Sequence, residues 1–172
     1  SSTAVPVFPA KLFTSAALSH RVTVAFDKDA GERGGAMSLL IADAKLGVWK
    51  AADGGAPLSE VPCPLEQPHL VCAGSALACV AGRRECVCLT GRGLRETGRM
   101  PAAPGLAAMC LSPCGRYVYQ LSAEADSVHT RLTATGELIF AAPAGVFPRS
   151  LCLDASGRWL LAAGGAVDEA YV

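Results

Sequence analysis

Short apolar runs alternate with polar, glycine-containing turns along the second half of the chain. Residues 109–119 read MCLSPCGRYVY, and residues 151–161 read LCLDASGRWLL. Each phrase predicts a short strand, a turn that ends in Gly-Arg and a second strand. Cys72, Cys110 and Cys152 hold matching places in successive segments, at spacings of about 38 and 42 residues, so the pattern predicts a tandem repeat.

This period is typical of β-propeller blades, each of which is an antiparallel sheet of four strands. We therefore expect an all-β partial propeller of about four blades, within a single domain over residues 1–172. The approximate blades are 11–60, 68–101, 106–142 and 148–172. The last blade is expected to be incomplete, because the pattern reaches only a third strand, at residues 170–172.

Three arrangements would protect the open edge of such a blade. Residues 5–8 would add the outer strand and close a ring of four blades. Alternatively, a second copy or another chain would complete a larger ring, or the sequence is a fragment of a longer protein. The second and third arrangements are favoured, since a ring of four blades is very tight.

The predicted strands follow the apolar runs. In blade one they are 21–26, 38–43 and 48–51, with an apolar run at 12–18 and a turn and connection at 52–60. In the later blades they are 68–72, 76–80, 85–89 and 94–99, then 107–111, 117–121, 127–132 and 137–141, then 150–153, 159–163 and 170–172.

Composition narrows the function classes. The 15 basic and 15 acidic residues give a formal net charge of zero, which argues against a nucleic-acid partner. The uncharged stretches are shorter than the roughly 20 residues of a membrane-spanning helix, so no membrane segment is expected. Because three of the eight cysteines repeat in register, we interpret them as reduced packing residues, which favours a cytoplasmic protein.

The phrases SPCGRYVY at 112–119 and DASGRWLL at 154–161 resemble the S-P-D-G-R-x-L-Y phrase of the YVTN-repeat and lactonase-like β-propellers. Pro148-Arg149 is similar to the pair that opens blades in that group. The chain departs from the family at the turn aspartate, which is Cys114 in blade three and Ser156 in blade four. The resemblance implies a propeller fold, but it does not imply lactonase activity, because the fold hosts many functions.

His69 and Arg149 are the candidate ligand-binding residues. With Ala107, they lie three residues before the repeated cysteines, where an inner strand meets the central channel. Arg149 would hold a carboxylate or phosphate, and His69 would shuttle a proton or pair with an anion. The structural alternative is that Arg149 binds loop carbonyls and His69 caps a turn.

No other constellation indicates chemistry. The cysteines lack the C-x₂-C spacing of a zinc site, so no metal and no cofactor are expected. Blade two is locally basic, either as a solvated face or as a contact patch, with arginines at 83, 84, 92, 95 and 99.

Two functions remain open from the sequence. The first is a non-catalytic propeller scaffold that binds a protein partner or a small ligand at its channel face. The alternative is a lactonase-like hydrolase or isomerase that acts on a small anionic sugar or acid. The scaffold is favoured, because no carboxylate stands beside His69, Ala107 and Arg149 as an equivalent base.

Overall fold

The protein is built from antiparallel strands that follow one another along the chain. The computed structural model describes residues 20–24, 37–42, 45–50, 59–74, 77–90, 93–154, 156–164 and 169–171. Within those ranges there are fifteen strands and no helix. Accordingly, this part of the chain offers no helix with the length and hydropathy needed to cross a bilayer.

Each strand pairs with the next one in the sequence. The strands are β1 (His20–Val24), β2 (Met37–Ala42), β3 (Lys45–Lys50), β4 (Ser59–Pro62), β5 (Leu70–Ala73), β6 (Leu77–Ala81), β7 (Glu85–Thr90), β8 (Arg95–Pro101), β9 (Leu106–Leu111), β10 (Tyr117–Ser122), β11 (Ser127–Leu132), β12 (Leu138–Pro143), β13 (Pro148–Leu153), β14 (Leu160–Gly164) and β15 (Glu169–Tyr171). They form three sheets of four strands and a last sheet of three, β13–β15.

These four sheets are the blades of a partial β-propeller, and the predicted fold class is confirmed. The first strand of each sheet is its inner strand. β1 contacts β5, β5 contacts β9, and β9 contacts β13, so the inner strands stand side by side in chain order. We refer to the sheets as blades one to four.

Blade one differs from its prediction. β4 occupies Ser59–Pro62 and pairs with Lys45–Val48 of β3, where the sequence predicted a turn and connection over 52–60. The prediction was wrong at this strand because two of its four residues, Ser59 and Glu60, are polar and the strand ends in proline. Pairing with β3, rather than local preference, fixes the strand. The apolar run at 12–18 lies outside the described residues.

Alternation along the strands of blade two provides two apolar faces. Val71, Val80 and Val87 pack in a cluster with Leu46 of blade one. The neighbouring residues in the sequence point the other way, toward Met109 and Leu111 of blade three, and they include Cys72, Cys79 and Cys88. Successive strand residues face opposite sides of a sheet, so each seam between blades is filled from both sheets.

The repeated Gly-Arg phrases form turns of the same shape. Gly115 adopts a φ of 71°, and its N–H donates to the carbonyl oxygen of Ser112 over 2.9 Å. Gly157 also has a φ of 71° and donates to the carbonyl oxygen of Asp154 over 2.9 Å. A left-handed residue is required at both places, which explains the repeated glycine.

Candidate functional site

Both predicted site residues lie at the end of the sheets where the inner strands begin. We refer to this end as the upper face; it consists of the linkers 63–69, 102–105 and 144–147 and the turns 82–84 and 123–126. His69 directly precedes β5, and Arg149 is the second residue of β13. The opposite end, with the turns around Gly115 and Gly157, is the lower face.

The two residues stand on either side of blade three and do not contact each other. The Nε2 atom of His69 lies 3.4 Å from the carbonyl oxygen of Leu106, at the start of β9. Because a carbonyl only accepts, His69 donates this bond and ties blade two to blade three. The Arg149 side chain is exposed, and in the described part of the chain it has no ion-pair or hydrogen-bond partner.

Each of blades two, three and four begins with a residue in the left-handed region. These residues are Gln67, Gly105 and Phe147, with φ values of 50°, 57° and 53°. Each stands two positions before the aligned residues His69, Ala107 and Arg149. Glycine adopts this conformation freely, whereas a residue with a side chain loses about 1–2 kcal/mol in it.

Phe147 is held in this conformation and yet faces solvent. Its N–H donates to Asp126 Oδ1 over 3.1 Å, and the N–H of Ala144 donates to the Asp126 carbonyl oxygen over 2.9 Å. The next residue, Pro148, is fully buried. The Phe147 side chain is nevertheless 61% exposed, and that of Val146 is 55% exposed. A fixed loop therefore presents two apolar side chains on the upper face.

A groove opens on the upper face of blade two. It has a volume of about 1010 Å³. Its walls are the linker at 64–67 and the turn at 82–85, and the end of β8 at 99–101 closes one side. Leu65 and Met100 line it while being almost fully buried, whereas Arg83 and Arg84 are exposed. The groove thus combines an apolar base with a charged rim.

Arg99 is fixed at the rim by two carboxylates. Its Nε lies 2.7 Å from Glu96 Oε1, and its Nη1 lies 2.8 Å from Glu85 Oε1. Nη2 also donates to the carbonyl oxygen of Pro64 over 3.4 Å. The hydrogen bond from Arg99 lowers the pKa of Glu96. Arg83 and Arg84 have no such partner in the part of the chain that the structure describes.

The aligned cysteines occupy progressively more open surroundings. Cys72 is buried at the seam of blades two and three, Cys110 is half-buried, and Cys152 is exposed. Burial raises the pKa of the Cys110 thiol to about 12. All eight cysteines are free thiols. In the described residues no group of three or more potential ligands could hold a metal ion.

Two buried thiols of blade two face each other across neighbouring strands. Cys79 on β6 is directly opposite Cys88 on β7, and their Sγ atoms are 2.9 Å apart. Hydrogen bonds with Cys72 and Cys88, together with burial, raise the pKa of Cys79. A high pKa keeps Cys79 protonated and unreactive, which fits a packing role. The hydrogen bond with Cys79 lowers the pKa of Cys88.

The sequence did not reveal the left-handed blade starts or the groove. Gly105 was the available signal for a left-handed residue. The alignment of Cys72, Cys110 and Cys152 places Gln67 and Phe147 at the position that Gly105 holds in blade three. The arginines of blade two indicate its basic character, but the linker that forms the opposite wall of the groove has no distinctive sequence pattern.

Sequence comparisons find no relative. No protein-family model and no curated protein sequence matches the chain. Solved structures do match. Hydrazine synthase of Kuenenia stuttgartiensis superposes with a TM-score of 0.62 at 13% identity, covering 76% of this chain and 39% of that one.

A chain in the crystal structure of the mitotic checkpoint complex superposes with a TM-score of 0.61 at 9% identity. The match covers 78% of this chain and 42% of that one. Both neighbours are propeller proteins, and at these identities the likeness extends to the fold alone. The chain spans about two-fifths of the length of either neighbour.

Proposed function

We propose that the chain is a non-catalytic scaffold whose upper face binds a protein partner. The supporting observation is Phe147, a bulky aromatic residue that is left-handed and 61% exposed. Folding alone would favour glycine here, as blade three has at Gly105. A residue that is unfavourable for folding at an exposed position is better explained by binding than by stability.

The surroundings of Phe147 suit a protein surface. Val146 is also exposed, and Arg149 follows directly after the buried Pro148. Aromatic residues and arginine dominate the binding energy of protein interfaces, where the aromatic ring fills a pocket of the partner. Because Asp126 already fixes the loop, little conformational entropy would be lost when a partner binds.

Selection of a random-peptide phage library against the immobilised protein tests this proposal. We expect the recovered peptides to bind the Phe147→Gly variant at least about tenfold more weakly, which corresponds to an interface anchor. The same substitution removes the left-handed strain, so the free energy of unfolding should rise by about 1 kcal/mol. Weaker binding together with a higher free energy of unfolding would show that Phe147 serves binding and not folding.

Trp159→Ala is the matched control. Trp159 is 60% exposed, but it directly precedes β14 on the lower face. Peptide binding should be unchanged in this variant. Peptides that depend on Trp159 and not on Phe147 would contradict the proposal.

The hydrolase alternative gains no support from the site. His69 already donates to a backbone oxygen, and the residues at the equivalent positions of β9 and β13 are Ala107 and Arg149. A water-activating base would have to come from elsewhere. We expect no lactone hydrolysis above background, and turnover that is lost in His69→Ala and Arg149→Ala would revive the alternative.

We also propose that another chain, either a second copy or a different protein, covers the outer strand of blade three and completes blade four, which has three strands among the described residues. Leu138, Ile139 and Phe140 of β12 are 45%, 49% and 63% exposed. An exposed apolar edge strand is a ready template for pairing. Light scattering at micromolar concentration should detect association that Phe140→Lys weakens; a monomer near 17.6 kDa would contradict self-association.

A cytoplasmic location completes the proposal. It is supported by the eight free thiols, since secreted proteins usually oxidise such cysteines. Thiol labelling of protein taken from its native cells under denaturing conditions should modify all eight. Partial labelling that is completed by a reductant would argue for an oxidising compartment.

A further inference from the structure

The groove on blade two is a preformed feature. The turn at 82–85 packs directly on the linker at 64–67, and a methyl group added at Gly82 would lie 3.0 Å from the carbonyl oxygen of Glu66. On the other side, Arg99 joins the end of β8 to the Pro64 carbonyl oxygen and to Glu85. Both walls are therefore tied to each other before any ligand binds.

Some charged side chains of the groove have an ion-pair partner among the described residues, and others have none there. Glu85 is paired with Arg99, so the remaining charged residues of the lining are Arg83, Arg84 and Glu66. Arg83 and Arg84 are consecutive and exposed, and no described residue pairs with either side chain. Two free guanidinium groups outnumber the one remaining carboxylate, and each has the geometry for two hydrogen bonds to a carboxylate.

We propose that this groove binds an extended acidic segment of a protein partner through Arg83 and Arg84. The inference rests on the proposed scaffold function and names the chemistry of the segment. Aspartate or glutamate side chains would pair with the two arginines, and the backbone would lie over the apolar base that includes Leu65 and Met100. A nucleic acid is disfavoured, because two free cations and a net charge of zero neutralise few phosphates.

Fluorescence anisotropy with a fluorescein-labelled hepta-glutamate peptide tests the proposal. The wild-type protein should bind this peptide, and neither hepta-glutamine nor hepta-lysine should bind. The double variant Arg83→Glu/Arg84→Glu should bind at least about tenfold more weakly, since both charge-assisted contacts become repulsive. Raising the salt concentration should also weaken wild-type binding.

Arg158→Glu is the control for a charge reversal away from the groove. Arg158 is exposed on the lower face, and its side chain has no ion-pair partner among the described residues. The affinity of this variant for hepta-glutamate should stay within about twofold of the wild-type affinity, because the charge of Arg158 lies far from the groove. An equal loss in this variant would show that net charge alone attracts the peptide and would overturn the proposal. Tighter binding of a fluorescein-labelled oligothymidine would also overturn it.

The experiment separates this inference from the scaffold proposal. Phe147→Gly should leave hepta-glutamate binding unchanged, because Phe147 does not line the groove. Absence of hepta-glutamate binding to the wild-type protein would overturn the groove assignment, whereas the phage-derived peptides would still report on Phe147.

Discussion

Blades two and three arrange polarity in opposite ways. In blade two the third strand, β7, is buried from Cys86 to Leu89, and the outer strand carries Arg95, Glu96 and Arg99. In blade three the third strand is polar and half-buried, whereas the outer strand exposes three large apolar side chains. Blade two protects its edge with charge, and blade three presents an edge that suits another polypeptide.

The largest expected difference comes from removing an apolar side chain in each blade. Leu89 is 1% exposed and Phe140 is 63% exposed. Leu89→Ala should lower the free energy of unfolding by about 2–5 kcal/mol, because it leaves a cavity. Phe140→Ala should change it by less than about 0.5 kcal/mol. Urea unfolding at low protein concentration measures both, and equal losses would break the contrast between the blades.

A buried amide joins the two blades and gives the next effect. Gln120 is fully buried; its Oε1 accepts from the N–H of Ala103 over 2.9 Å, and its Nε2 donates to the Pro101 carbonyl over 3.2 Å and to Cys86 Sγ over 3.3 Å. Gln120→Leu orphans these groups and should cost about 2–3 kcal/mol in urea unfolding. The exposed Gln67→Leu is the control, and an equal loss there would argue against a special role for Gln120.

A smaller effect is expected where the last turn of blade three meets blade two. Gly136 has a φ of 75°, and an added methyl group would lie 2.8 Å from Met100 Cβ and 3.0 Å from the Arg99 carbonyl oxygen. Gly136→Ala should therefore cost about 1–2 kcal/mol by thermal or urea unfolding. Gly93→Ala, which meets nothing within 4 Å, should be nearly neutral. A neutral Gly136→Ala would show that the blades separate easily.

The smallest effect concerns the polar strand of blade three. Burial, and then the charge of Arg131, lower the pKa of His129. The unfolded chain therefore binds a proton more readily than the folded chain. The contribution of His129 to the free energy of unfolding should be fully present above about pH 6.5. It should be lost as the pH falls from there through the folded pKa. His129→Gln should reduce this pH dependence of the urea midpoint, and an unchanged profile would contradict the assignment.

The sequence predicted most of blades two to four because their signals are local. Apolar runs bounded by Gly-Arg turns at Gly115 and Gly157 set the strand order, and the propeller follows from the repeat. The short strand Ser59–Pro62 was missed because it depends on its partner, β3. Long-range pairing leaves little trace in the residues themselves.

The candidate site was predicted only by position. His69 and Arg149 are at the expected blade starts, but their roles as ligand residues stay predictions. The conformation of Phe147 could not be read from its residue type, because an exposed left-handed phenylalanine is uncommon. The buried Gln120 donates a hydrogen bond to Cys86, which is 34 positions away in the sequence, and so distant a partner leaves no local pattern.

The left-handed bend before the inner strands of blades two, three and four is the same in all three, although the amino acid at the bend differs. At Gly105 an added methyl group would lie 2.7 Å from Glu124 Cγ, so the exposed Glu124 side chain would have to move to accommodate it. Gln67 and Phe147 show that the same bend tolerates substituents as different as an amide and a phenyl ring. The backbone bend therefore does not depend on which side chain the blade presents at this position. Under the proposed scaffold function, single substitutions at Gln67 and Phe147 should therefore change binding specificity while the bend is kept.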